Sequence, residues 1–233
     1  MAAYSFNRGA ETPLLSVWQR ASVLAGAALL AACSLRTPPL PFTASGYVAD
    51  GGVVRIWRKD DASGGVHLFT AFSPWYSGET ATGEYRWQGE NLMLAQQTTY
   101  GKPPQHIKIR FDERGGLSFM QREVNGQKQQ LSDDSIALWR YRAQQVRATS
   151  DALHAGRVEL YQGRWQGEGS VVNCEGQRLR PALNDAALKR IRQRQANSSM
   201  AVSVAWLEAP EGAQLLLVAN ENYCSWQPDP KSF

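Results

Sequence analysis

Cysteine and histidine are scarce in this chain of 233 residues, with three of each, which leaves little material for a metal cluster. Neither sign of charge dominates. Against 25 Lys and Arg stand 21 Asp and Glu, a formal +4, so the polyanion-binding reading invited by a pI near 9.0 starts weak. No apolar stretch reaches the roughly 20 residues that a membrane-spanning helix needs. Catalytic signatures are missing as well. The segment Gly167-Glu168-Gly169-Ser170-Val171 lacks the final glycine of a nucleophile elbow. His67, His106 and His154 are single and widely spaced, and there is neither an i,i+4 histidine pair nor a phosphate-cradling glycine loop. What remains is 43% hydrophobic and 10% aromatic, with 11 Pro and 20 Gly, the composition of a globular protein of one or two domains.

The amino-terminal segment gives an address. From Ala21 to Ala32 the chain reads ASVLAGAALLAA, twelve uncharged residues preceded by Arg20 and ending in small side chains before Cys33. That length suits a signal-peptide core and is too short for a spanning helix. Leu30-Ala31-Ala32-Cys33 resembles the lipobox of bacterial lipoproteins. The resemblance implies a signal peptide over 1–32, cleavage before Cys33 and acylation of that cysteine. Ser34 in place of Asp implies sorting to the outer membrane, with the body on the periplasmic face. Two or more acyl chains at about 0.8 kcal/mol per buried CH₂ would hold such a body firmly. The stretch before Arg20, with Arg8, Glu11 and Pro13, is long for a signal n-region, so a start nearer Val17 is expected. Residues 33–45, with three prolines and no periodic pattern, read as a lipidated tether.

With Cys33 committed to lipid, Cys174 and Cys224 are an even pair in an oxidising compartment, and a structural disulfide is expected between them. Their spacing and the lack of nearby histidines argue against a metal role. Nothing in the chain calls for a cofactor.

The mature chain reads as mainly β (α+β). Residues 46–156 are expected to hold an antiparallel meander, barrel-like, of six or seven strands, followed by one long helix near 133–155. Val53–Trp57 and Val66–Phe72 flank a turn-rich KDDASGG, and Asn125-Gly126 marks a primed turn. Ser132 is placed to cap the helix, with Asp133 and Asp134 in its first turn and Ile136, Trp139, Ala143, Val146 and Leu153 on one stripe. Residues 157–233 read as a smaller β-rich unit containing a short basic helix over 184–195, with Asn184 as its cap. The pentapeptide Arg86-Trp87-Gln88-Gly89-Glu90 recurs as Arg164-Trp165-Gln166-Gly167-Glu168, most simply a strand-and-turn solution used twice.

Three groups of residues bear on function. Carboxylate pairs such as Asp60-Asp61 and Asp133-Asp134 could in principle hydrolyse a glycosidic bond, yet a turn and a helix start account for both. Seven tryptophans in the mature chain are expected mostly in the core. Trp75 stands apart, since with Tyr76 it occupies a turn-like Ser-Pro-Trp-Tyr-Ser-Gly and offers a ligand or partner surface. Lys189, Arg190, Arg192 and Arg194 form a basic cluster. The export signal removes nucleic acid as a partner, so anion contact there points to envelope lipid phosphates or peptidoglycan carboxylates.

In length, late lipobox and Trp-rich β pattern the chain resembles the YjaH-type family of gammaproteobacterial lipoproteins, a resemblance that supplies no activity and no site residue. Val171–Leu179 also resembles the cysteine-bearing opening strand of small β-barrel modules in other envelope lipoproteins. The reading that follows is a non-enzymatic lipoprotein, anchored to the membrane by its lipid, whose body binds a periplasmic protein or a glycan such as peptidoglycan. A cell-wall hydrolase with a carboxylate pair, and a stress- or metal-responsive accessory lipoprotein, are the alternatives.

Overall fold

Turn residues set the first sheet. In the computed structural model, which describes residues 42–76, 78–231 and 233, eight antiparallel strands follow one another in chain order. They are β1 (Phe42–Ala49), β2 (Gly52–Asp60), β3 (Gly65–Pro74), β4 (Ala81–Gln88), β5 (Asn91–Thr99), β6 (Gln105–Phe111), β7 (Leu117–Val124) and β8 (Gln127–Gln129). The meander therefore has more strands than the six or seven expected, and the additions lie at its ends. Strand β1 begins at Phe42, inside the stretch read as tether, because Phe42 and Ala44 pack on a core that the prolines before them do not reveal. At the other end Asn125 and Gly126 take φ of 52° and 75°, the primed turn, and send three polar residues back as β8.

Alternation along the strands gives this sheet two apolar faces. On one, Ile56, Leu68, Tyr85, Ala95 and Ile109 meet helix α1 (Asp133–Ala155) through its Ile136, Trp139 and Ala143. Ser132 caps that helix as expected, its Oγ accepting from the Ser135 amide at 3.3 Å. Gly156 follows the helix in an ordinary right-handed conformation, and Arg157 takes the left-handed one, φ 53°. On the opposite face Val53, Trp57 and Ala71 meet a second sheet.

That second sheet has five antiparallel strands in the order β11-β10-β9-β12-β13. They are β9 (Glu159–Gly167), β10 (Ser170–Asn173), β11 (Arg178–Leu179), β12 (Ser203–Ala209) and β13 (Gly212–Ala219), and a 3₁₀ turn, Tyr223–Trp226, follows. Leu160, Ala205, Leu216 and Leu217 face the first sheet. Trp165, Val171, Val204 and Trp206 face the other way, onto Ala187 and Ile191 of helix α2 (Asp185–Ala196). Asn184 caps α2 by accepting from the Ala187 amide at 2.9 Å. The layers run α1, first sheet, second sheet, α2, an α+β arrangement with three successive cores.

Within this frame Val171–Leu179 is a hairpin at one edge of the second sheet and not its opening strand, because β9 precedes it and pairs with β10. Strand β9 lies so close to β10 that a Cβ on Gly163 would stand 2.2 Å from the Val172 carbonyl oxygen, so only glycine fits there. The repeated pentapeptide ends a strand both times with its tryptophan buried, but the turns are offset. Gly89-Glu90 links β4 to β5, whereas Glu168-Gly169 links β9 to β10. Cys174 and Cys224 form a disulfide, with an S–S distance of 2.08 Å and Cα atoms 5.4 Å apart, tying the turn after β10 to the 3₁₀ turn.

Candidate functional site

The two segments singled out for contact converge. A cleft of about 440 Å³ is bounded on one side by the end of β3 and the turn beyond it, with Ser73, Trp75 and Tyr76. Its other wall is α2, and its far side is the end of β13 with Glu221 and Tyr223. Helical spacing explains which cations take part. Ala187 and Ile191 bury one stripe of α2, and Arg190 and Arg194, one turn apart, form a row that reaches the cleft beside Gln193 and Asn197. Lys189 and Arg192 are exposed and lie outside the lining, so the basic cluster divides into two residues at the cleft and two away from it. Among the described residues Arg190 and Arg194 make no hydrogen bond and no ion pair with protein groups.

The aromatic pair divides as well. Tyr76 is 95% exposed at the rim, whereas Trp75 is half-buried and packs on the core between the sheets. Its backbone amide donates to the Gly51 carbonyl at 2.9 Å, which fixes the turn against the β1–β2 loop. Trp57, Trp87, Trp139, Trp165 and Trp206 are buried, as core tryptophans should be, and Trp226 is half-buried.

Beneath the cleft lies a group that alternation alone placed inward. Arg55 shares a face with Val53 and Trp57, and it is fully buried between the sheets. Its guanidinium donates to Gln162 Oε1 at 2.9 Å, to Ser73 Oγ at 3.0 Å and to the Tyr223 carbonyl at 3.4 Å, and it sits 4.8 Å from the centre of the Tyr223 ring. None of these partners is a carboxylate. Burial lowers its pKa to about 10, against the opposing pull of Tyr223 and Glu221. Gln162 in turn donates to the Tyr223 carbonyl and to Gln227, while Cys174 lies against its backbone oxygen. The 3₁₀ turn is thus held by a buried polar network on one side and by the disulfide on the other. The Tyr223 hydroxyl is buried and makes no hydrogen bond to the described residues. Burial pushes its pKa up and Glu221 adds to that, while Arg55 and Arg194 pull it down. Glu221 itself accepts from the Trp226 indole.

A second depression, of about 520 Å³, lies at the other end of the first sheet and is lined by Lys59, Asp61, His67, Arg86 and Phe233 among others. Here Glu84 accepts from His67 at 2.9 Å, from Arg86 at 2.7 Å and from Gln96 at 2.5 Å. His67 first, and then Arg86, hold its carboxyl down to about 2 against the opposing effect of burial. Asp61 is lowered too, first by the Ser63 hydroxyl and also by the Gly65 amide, within a turn that it closes. A carboxyl held low keeps no proton to give, so neither group suits a general acid. His67 stacks on Phe233 at 4.1 Å between ring centres, a satisfied strand histidine. Asp60 pairs with Arg58, and Asp133 and Asp134 stand in the first turn of α1, so both acidic doublets have the structural roles expected of them. Among the described residues no group of three His, Cys, Asp or Glu could hold a metal ion, and no helix is long and apolar enough to cross a membrane. Cys33 lies outside the described residues.

Residues 44–229, both sheets and both helices, match the family described as "Protein of unknown function (DUF1481)". The chain belongs to this family. It is also 59% identical over 230 residues to the uncharacterized protein YjaH of Escherichia coli (strain K12), covering 98% of this chain and 99% of that protein. No solved structure matches it. The resemblance to the YjaH-type family is therefore correct at the level of kinship. The DUF1481 match begins at Ala44, after Cys33, so it bears on the folded body alone.

The sequence left Arg55, Gln162, Ser73 and Tyr223 unmarked. One signal was available. In Val53-Val54-Arg55-Ile56-Trp57 a cation occupies an inward position of an otherwise apolar run, which requires buried partners.

Proposed function

We propose that this DUF1481 protein is an outer-membrane lipoprotein, acylated at Cys33, whose periplasmic body is a non-enzymatic binding module of the cell envelope. The observation that carries the reading is the cleft itself. It gathers a turn aromatic pair and two arginines that are unpaired among the described residues, from distant parts of the chain, and it is braced from below by a buried network. A disulfide in the body supports an oxidising compartment, in keeping with the signal-like run that ends at Cys33. The low carboxyls of Asp61 and Glu84 count against either one serving as a general acid.

The test combines fractionation with crosslinking. Natively expressed protein is compared with Cys33→Ser by intact mass and by membrane separation, and a photocrosslinking residue replaces Tyr76 in the acylated form. A triacylated species starting at Cys33 in the outer membrane, with discrete crosslinks from position 76, is the expected result. An unprocessed soluble protein, or crosslinks no different from those of a probe on the exposed α1 residue Tyr141, would overturn the reading.

A further inference from the structure

The chemistry of the cleft narrows the ligand class, and this step rests on the binding-module reading above. Four features of the lining point the same way. Arg190 and Arg194 present two guanidinium groups without partners among the described residues, donors suited to carboxylate or phosphate. The half-buried Trp75 and the fully exposed Tyr76 offer apolar ring faces of the kind that cover a sugar ring. Gln193 and Asn197 supply amides for hydroxyl and acetamido groups. Tyr223 is also a lining residue, and its buried hydroxyl has no partner among the described residues. Glu221 is the one acid among the described lining residues, against two arginines, so the cleft keeps an excess of positive charge.

Position along the sheet selects the source of the acid. Phe42, the first described residue, pairs with Lys59 at one end of the first sheet. The cleft is at the opposite end, where Ala49 pairs with Gly52 and Gly52 with Pro74. On the proposed anchoring at Cys33, a chain entering at Phe42 would leave the cleft about 25 Å away along the strands, at the end that would meet cell-wall glycan rather than lipid phosphate.

We infer that this cleft binds an acidic saccharide of the cell wall, with a sugar ring against Trp75 and Tyr76 and its carboxylate between Arg190 and Arg194.

The test uses the full-length mature protein with its disulfide intact. Binding of the N-acetylglucosaminyl-N-acetylmuramic acid disaccharide is measured by calorimetry and by perturbation of Trp and Tyr fluorescence, beside the neutral chitobiose and vesicles containing a phosphorylated glucosamine disaccharide. Saturable binding of the muramic disaccharide is expected, with chitobiose about tenfold weaker or more. Arg190→Gln and Arg194→Gln should each weaken it about tenfold. Both side chains are exposed, so these variants keep the fold. Equal affinity for chitobiose, binding confined to the phosphorylated vesicles, no binding at all, or indifference to both arginine variants would each overturn the inference. Because the binding-module reading is tested separately by acylation and by crosslinks from position 76, a tethered protein that crosslinks to another envelope component but ignores the disaccharide would sink this inference and leave that reading standing.

Discussion

Arg55 is a cation held between two sheets with no carboxylate beside it, and its stability contribution comes from what it bonds. The lowered pKa, about 10, means that the fold carries the charge at a cost through neutral pH, relieved only as pH rises through that value. Removing the guanidinium nevertheless strands Gln162 and Ser73 and opens a void, so Arg55→Leu should lose on the order of 3 kcal/mol of unfolding free energy. Arg55→Lys should recover little, because one ammonium cannot span the fork of partners. Denaturant unfolding of the two variants checks this, and a loss under about 0.5 kcal/mol for either would show that the network is dispensable. Glu84 is the converse case. Its carboxyl sits at about 2 in the fold against an ordinary 4.5, so its stabilisation is complete above 4.5 and is lost as pH falls toward 2. Glu84→Gln should be less stable at neutral pH, with its curve converging on that of the unaltered protein near pH 2. Parallel curves through that window would assign the bonds around Glu84 no linkage. The run around Arg55 signalled a buried cation, but the partners of neither residue were legible from the sequence, since cross-strand partners depend on register, which short-range pattern does not supply.

Elements with strong local signals were read correctly, and those defined by their surroundings were not. Helix α1 announced itself by its cap and stripe, and α2 by Asn184. Strands β1 and β8 did not, because one begins directly after prolines and the other is three polar residues completing a turn. The 3₁₀ turn at Tyr223–Trp226 belongs with the second kind, held in place by Arg55, by Gln162 and by the disulfide. A bridge closing a loop of 50 residues is worth about 4 kcal/mol on chain-entropy grounds. Cys174→Ser/Cys224→Ser should therefore lower the melting temperature and, more selectively, raise amide exchange at Tyr223–Trp226 and weaken ligand binding at the cleft. Calorimetry with hydrogen exchange separates the two effects. Exchange that rises uniformly over the molecule, and not first in the 3₁₀ turn, would mean that the bridge stabilises the whole fold without guarding the cleft.

At the scale of the molecule, the candidate site could not be read from sequence because no periodicity tells which loops meet. The turn at Trp75 and the arginine row of α2 come together only through the stacking of two sheets, the second carrying α2 on its outer face. The same stacking gives the body a direction. Residues 34–41 can reach at most about 29 Å when fully extended, so on the proposed acylation at Cys33 that length is the limit on how far the Phe42 end of the first sheet stands from the lipid, while the cleft end can stand farther. The β2–β3 turn with Ala62 lies at that end, and Tyr76 lies at the other. Fluorophores attached through Ala62→Cys and Tyr76→Cys in the acylated protein, bound to vesicles that carry a quencher on their headgroups, should therefore be quenched unequally, Ala62 the more strongly. The same pair in Cys33→Ser protein should show no difference, since nothing then orients the body. Stronger quenching at Tyr76 would place the cleft against the membrane, and the acid it receives would then belong to lipid rather than to the cell wall.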